Sequence, residues 1–221
     1  MQSVTRYDRQ VQALAVCLSA LAGYVDALGF MHLHGFFVSF MSGNSTRLAV
    51  GLIDRSADAI RAGQLIALFV VGVVIGAIVG RLAARRQRQT VLALVAALLA
   101  TGALAAHLDR PAIAVIAMVL AMGAENAVFQ RDGQVHIGLT YMTGTLVKLG
   151  QQIAVALSGG KLTGWLPYLL LWSGLVGGAI LGASIHTRIG LAGLWLAALV
   201  AAACAVWSAV ISDSSLTDKR T

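Results

Sequence analysis

Charge is what this sequence has least of. Asp, Glu, Lys and Arg make up 11% of its 221 residues, where a soluble domain carries roughly a quarter. With 58% hydrophobic residues and a mean hydropathy of +0.83, the chain lacks the ions that would cover a water-facing surface. Proline is nearly missing, with two residues, so little in the sequence interrupts long helices. The two cysteines, Cys17 and Cys204, exclude a disulfide framework. Each falls inside an apolar run and reads as a small buried hydrophobe. Catalytic signatures are missing as well: there is no G-x-S-x-G, no phosphate-binding loop and no H-E-x-x-H.

What is present is a series of apolar runs, at 11–30, 62–80, 90–107, 112–129, 165–185 and 191–211. Each is long enough to cross roughly 30 Å of hydrocarbon as a helix. The net charge of +7 and pI near 10.1 come from cations in short connections, above all Arg81, Arg85, Arg86 and Arg88. These read as orientation signals beside lipid headgroups, not as a nucleic-acid surface. The first run follows Arg6 and Arg9 without a convincing cleavage site, which predicts an uncleaved first span.

The sequence repeats itself. Gly23, Asp26 and Ala27 match Gly123, Asn126 and Ala127; Met41-Ser42-Gly43 matches Met142-Thr143-Gly144; Arg47 matches Lys148; and Gly72, Gly76 and Gly80 match Gly174, Gly178 and Gly182. The order of these landmarks predicts one membrane domain over 1–221, with repeat 1 at 11–107, repeat 2 at 112–211 and a polar tail at 212–221. Each repeat holds four apolar segments, the second of them at about 37–54 and 138–157.

Charge distribution bears on how many segments span. If all eight cross, the cations divide almost evenly between the two sides. If the second segment of each repeat dips in and returns, one side collects Arg6, Arg9, the four arginines from 81 to 88, Arg131, Lys161, Lys219 and Arg220. The other side keeps Arg55, Arg61, Arg110 and Arg188. This predicts an all-α polytopic protein with six full spans, two short re-entrant or broken helices and cytoplasmic termini. An odd number of spans per repeat inverts one half against the other, the plan of many transporters and channels. The alternative is eight spans in parallel repeats.

Inside the short segments, Ser42-Gly43-Asn44 and Thr143-Gly144-Thr145 favour a turn or a helix start over a helix middle. Irregular backbone at membrane depth persists only where it is buried or lines a wet cavity. Arg47 and Lys148 follow about one turn later, and intramembrane cations point to function. Asp26 and Glu125, the latter beside Asn126, are candidate partners for them. The same four charges could instead simply lock each short segment to its neighbour. The candidate pathway is therefore Asp26, Ser42, Gly43, Asn44 and Arg47 with Glu125, Asn126, Thr143, Gly144 and Lys148. His136 is the candidate proton relay. The glycines at 72, 76, 80, 174, 178 and 182 form strips for close helix packing, between the halves or between two protomers. His32 and His34 have the spacing of a ligand pair, but no metal site or cofactor is expected, because no Cys or clustered carboxylate joins them.

The run Gly23-Tyr24-Val25-Asp26-Ala27-Leu28-Gly29-Phe30, followed by Phe36-Phe37-Val38 and Met41-Ser42-Gly43-Asn44-Ser45, resembles the N-terminal signature of the YoaK-like bacterial inner-membrane proteins. Ala124-Glu125-Asn126-Ala127 and Met142-Thr143-Gly144-Thr145 are similar to that family's second half. The resemblance implies a multi-pass protein of the bacterial cytoplasmic membrane and no particular substrate. The functional expectation is a small secondary transporter or channel for a small polar or anionic solute, with a proton as candidate coupling ion through Asp26 or Glu125. The alternatives are a membrane-embedded enzyme and a non-transporting accessory protein. The expected partners are membrane lipids, the solute and a second copy of the chain.

Overall fold

The computed structural model describes residues 9–131, 134–135 and 139–217. Eight α-helices follow one another among these: α1 (Arg9–His32), α2 (Met41–Ile53), α3 (Ala57–Ala83), α4 (Gln87–His107), α5 (Pro111–Glu125), α6 (Met142–Leu157), α7 (Leu166–Ile189) and α8 (Leu194–Thr217). The one exception to helix is a two-residue antiparallel ladder, β1 (Gln130–Arg131) with β2 (Gln134–Val135).

Three continuous helical stretches are long and apolar enough to cross a membrane: Arg9–His32, Ala57–His107 and Leu166–Ile211. The second has 51 residues and would reach about 76 Å if straight. It folds back instead, at a 3-10 turn over Ala84–Arg86, where Ala84 takes φ 45°. Gly80 there faces the side chains of Gln87 and Val91, so α3 and α4 are antiparallel. The third stretch folds back at Gly190, with φ 57°. Pro111 and Pro167 both sit in the first turns of their helices, where a missing N–H costs nothing.

Helix directions follow from the contacts. Gly72 lies on the backbone of Leu120 and Gly76 on that of Ala124, so α3 and α5 run parallel. Gly174, Gly178 and Gly182 lie on Val16, Ala20 and Tyr24, so α7 and α1 run parallel too. The Gln87 amide donates to the carbonyls of Ala127 and Gln130 at 2.9 and 2.8 Å, setting α4 antiparallel to α5. Tyr24 donates its hydroxyl to the Gly193 carbonyl at 2.9 Å, and Cys17 Sγ lies 3.4 Å from Cys204 Sγ, setting α8 antiparallel to α1. Gly102 of α4 meets Leu194 at the start of α8, so these two are also antiparallel.

The core lies among α1, α4, α5 and α8, around Leu14, Leu18, Leu28, Leu92, Leu99, Met118, Met122 and Leu194. α5 is apolar on every side and buried along most of its length, as such a helix must be in the middle of a bundle. α3 flanks α5 and α7 flanks α1, while α2 packs on α3 and α6 on α7 at the periphery. The glycine strips thus join helices of one chain. Gly80 is the exception among the strip glycines, since it packs within the α3–α4 hairpin.

Candidate functional site

After α1 the chain reverses through His34, at φ 54°, and Gly35, at φ 103°. Two side chains then hold the segment before α2. One Asp26 carboxylate oxygen accepts the N–H groups of Val38 at 2.9 Å and Ser39 at 2.8 Å. The fully buried amide of Asn44 accepts the Phe37 N–H at 3.1 Å and donates to the Phe37 carbonyl at 2.7 Å. α2 therefore begins at Met41 in a fixed place.

The second half builds its break with different groups at matching positions. The Asn126 amide donates to the Met122 carbonyl at 2.9 Å, and its oxygen accepts the Thr140 hydroxyl at 3.1 Å. Thr145, at the position of Asn44, is buried and donates to the Tyr141 carbonyl at 3.2 Å. Both short helices start without a side-chain cap, because their N-cap residues are the aromatic Phe40 and Tyr141. Among the described residues, the Ser42, Thr143 and Gly144 N–H groups find no carbonyl partner. An uncapped N-terminus presents donors and a partial positive charge to whatever lies in front of it.

What lies in front of both is one cavity of about 400 Å³, lined by Ser39, Phe40, Met41 and Ser42 from one break, and Thr140, Tyr141, Met142, Thr143 and Gly144 from the other. Phe69, near the middle of α3, completes the wall. The size is that of a small-molecule site. No carboxylate lines it among the described residues, so the chemistry they offer is hydroxyls, backbone N–H groups and aromatic or thioether faces. A small anion or neutral polar group meets complementary partners there.

Of the residues expected from sequence, Ser42, Thr143 and Gly144 line this cavity directly. Gly43 packs beside it, where a Cβ would press on the rings of Phe37 and Phe40. Asp26, Asn44 and Asn126 shape the breaks from behind. The expected ion pairs are replaced by other contacts. Asp26 is occupied by backbone N–H groups, and the Arg47 guanidinium lies 4.7 Å above the Phe36 ring. Lys148 sits 6.0 Å from the Tyr168 ring centre. Glu125 is fully buried, and neither of its carboxylate oxygens has a hydrogen-bond partner among the described residues. Arg47 turns instead to the segment after α1, with its guanidinium against Gly35 and the Phe36 ring. His136 lies outside the described residues. Among the described residues there is no cluster of three or more groups able to hold a metal ion.

Ser39, Phe40, Met41, Phe69, Thr140, Tyr141 and Met142 line the cavity without being among the expected site residues. Six of them had a signal in plain view, since Ser39-Phe40-Met41-Ser42-Gly43 and Thr140-Tyr141-Met142-Thr143-Gly144 agree at five consecutive positions as hydroxyl, aromatic, Met, hydroxyl and Gly. Phe69 had none, because it arrives from another helix.

A relative from Rhizobium meliloti (strain 1021), described as UPF0700 transmembrane protein RA0705, is 37% identical over 189 residues, covering 86% of this chain and 82% of its own length. No solved structure matches the chain. With its apolar helices, the likeness makes this a multi-pass membrane protein, and it agrees with the YoaK-like resemblance carried by the Gly23–Ser45 region. A family model described as protein of unknown function (DUF1275) matches residues 14–207, nearly the whole chain, and the protein belongs to that family.

Proposed function

We propose that this protein is a small secondary transporter or channel of the bacterial inner membrane, and that its solute binds between the starts of α2 and α6. The observation that carries the reading is the shared cavity, with its two uncapped helix starts and its Ser39, Ser42, Thr140 and Thr143 hydroxyls. Converging half-helix N-termini of this kind suit an anionic or neutral polar solute. Phe69 is the thirteenth of the 27 residues of α3, which sets the cavity at the mid-length of a spanning helix, where alternating access operates.

The architecture on this reading is two inverted repeats with six full spans. α1, α4 and α7 run one way and α3, α5 and α8 the other, which gives each helix of the first half an opposed mate in the second. α1 ends on the side where α3 starts, so 33–56 returns to the side it left, and 126–165 does the same on the opposite side. The packing exchanges under the same relation: Gly72 on Leu120 and Gly76 on Ala124 answer to Gly178 on Ala20 and Gly182 on Tyr24. With the arginine-rich turn at 84–86 cytoplasmic, both termini are cytoplasmic as well. Glu125, buried with no hydrogen-bond partner among the described residues, is the carboxylate suited to carry a coupling proton.

The test is flux into proteoliposomes against a panel of small anions and neutral solutes, comparing the native chain with Gly144→Trp. A Cβ at Gly144 meets nothing within 4 Å and the residue lines the cavity, so a large side chain there is expected to obstruct it at little cost in packing. Flux of at least one solute that disappears in Gly144→Trp is the expected result. Flux that survives the filled cavity would remove the solute site from this place.

A further inference from the structure

A second cavity lies at the other end of α5, between the end of α1, the start of α3 and the start of α5, with a volume of about 630 Å³. Its character changes along its length. His32, Arg61 and Gln64 stand at one end, and Leu68, Val71 and Ile116 line the rest. Arg61 and Val71 are ten residues apart on one helix, about 15 Å, enough for most of an acyl chain. A polar head and an apolar channel opening beside lipid is the shape of a single amphiphile.

The head carries one arginine, Arg61, with a second, Arg47, beside it. Arg61 lies 5.5 Å from the Phe36 ring centre and Arg47 lies 4.7 Å from the same ring, so two guanidiniums share one aromatic side chain. Neither makes an ion pair among the described residues. Asp54 and Asp58 line a neighbouring notch with Arg47, beyond ion-pairing distance, and His32 is the remaining titratable group at the head. Arg61 lines the groove with no carboxylate among the described lining residues, so an anion is the complementary head for it. The other half does not repeat these polar groups on its matching helix: at the places of Arg61 and Gln64, α7 has Pro167 and Leu170, 106 residues on, the spacing that relates Gly72 to Gly178. The polar head therefore belongs to this groove and is no requirement of the packing.

We propose that this groove holds one acyl chain of an anionic phospholipid, with its phosphate at Arg61 and within the field of Arg47. The assignment depends on the membrane setting and the groove, and stands apart from the transport reading.

Native mass spectrometry of the full chain in detergent, with dioleoyl phosphatidylglycerol or dioleoyl phosphatidylcholine added, tests it. Phosphatidylglycerol is expected to be retained in preference to phosphatidylcholine. Arg61→Gln should weaken phosphatidylglycerol about tenfold, the worth of one charge-assisted contact, and leave phosphatidylcholine unchanged. Val71→Trp, at a surface position in the apolar channel, should weaken both lipids, and Arg188→Gln, an exposed cation elsewhere, neither. Equal retention of phosphatidylglycerol by the native chain, Arg61→Gln and Val71→Trp would overturn the proposal. Loss of the headgroup preference on adding millimolar inorganic phosphate would also overturn it, assigning the head to a free anion.

Discussion

Buried polar side chains among the described residues divide into those whose hydrogen bonds are satisfied and those, Glu125 above all, whose are not. Asn44 is fully buried and spends its amide on both backbone groups of Phe37, and Asp26 spends an oxygen on two N–H groups. These are structural uses of polar side chains, and the turn chemistry of Ser42-Gly43-Asn44 makes a break there legible in the sequence. Glu125 is different. A buried carboxylate with no partner costs stability, whereas an apolar side chain of similar length in the same place does not. Its isolation was not legible, because a sequence gives spacing along α5 and not the distance to Lys148. If Glu125 is kept for a proton, Glu125→Met should raise stability by about 1 kcal/mol, roughly 2–4 °C in a detergent melting curve. The same variant should lose any dependence of flux on a pH gradient. A lower melting temperature would mean that Glu125 has a structural partner and no transport role.

At the scale of elements, the glycine strips were plain in sequence, but their partners and register were not. Three residues, 54–56, join α2 to α3, whereas eight, 158–165, join α6 to α7. The longer connection moves α7 along by about one turn, so Gly178 occupies the place that alignment of the strips gives to Gly174. Loop length is visible in a sequence only once the helix ends are known, and those ends fall where α2 and α6 stop. The strips now make a sharp contrast. A Cβ at Gly178 would collide with the Ala20 carbonyl, while one at Gly177 meets nothing within 4 Å. Gly178→Ala should therefore cost at least about 2 kcal/mol by forcing α1 and α7 apart, and Gly177→Ala should be neutral or slightly stabilising. Thermal unfolding of the two variants in the same detergent decides it. Equal losses would mean that the α1–α7 contact is looser than its geometry.

For the whole molecule, helix number and the pairing of breaks were legible because apolar length and the doubled hydroxyl-aromatic-Met-hydroxyl-Gly motif are one-dimensional signals. That the two breaks face one cavity was not, since it depends on α3 packing on α5 and α7 on α1, contacts that span most of the chain. The direction of each helix turns this into a prediction about sides. Cysteines introduced singly at Asp54, Leu108, Gln130 and Lys161, in a chain with Cys17 and Cys204 changed to Ser, can be labelled in intact cells with an impermeant maleimide. Cys17 and Cys204 contact one another within the core, so their replacement leaves the exposed positions undisturbed. With six spans and two returning segments, Asp54 and Leu108 label from outside, and Gln130 and Lys161 only after the membrane is opened. With eight spans and the same N-terminal side, Gln130 labels from outside while Asp54, Leu108 and Lys161 are protected. The deciding pair is Gln130 and Lys161, which flank α6. Found on one side, they make α6 a returning helix and its start a midplane donor for solute. Found on opposite sides, they make α6 a span, and the inverted halves no longer account for the cavity.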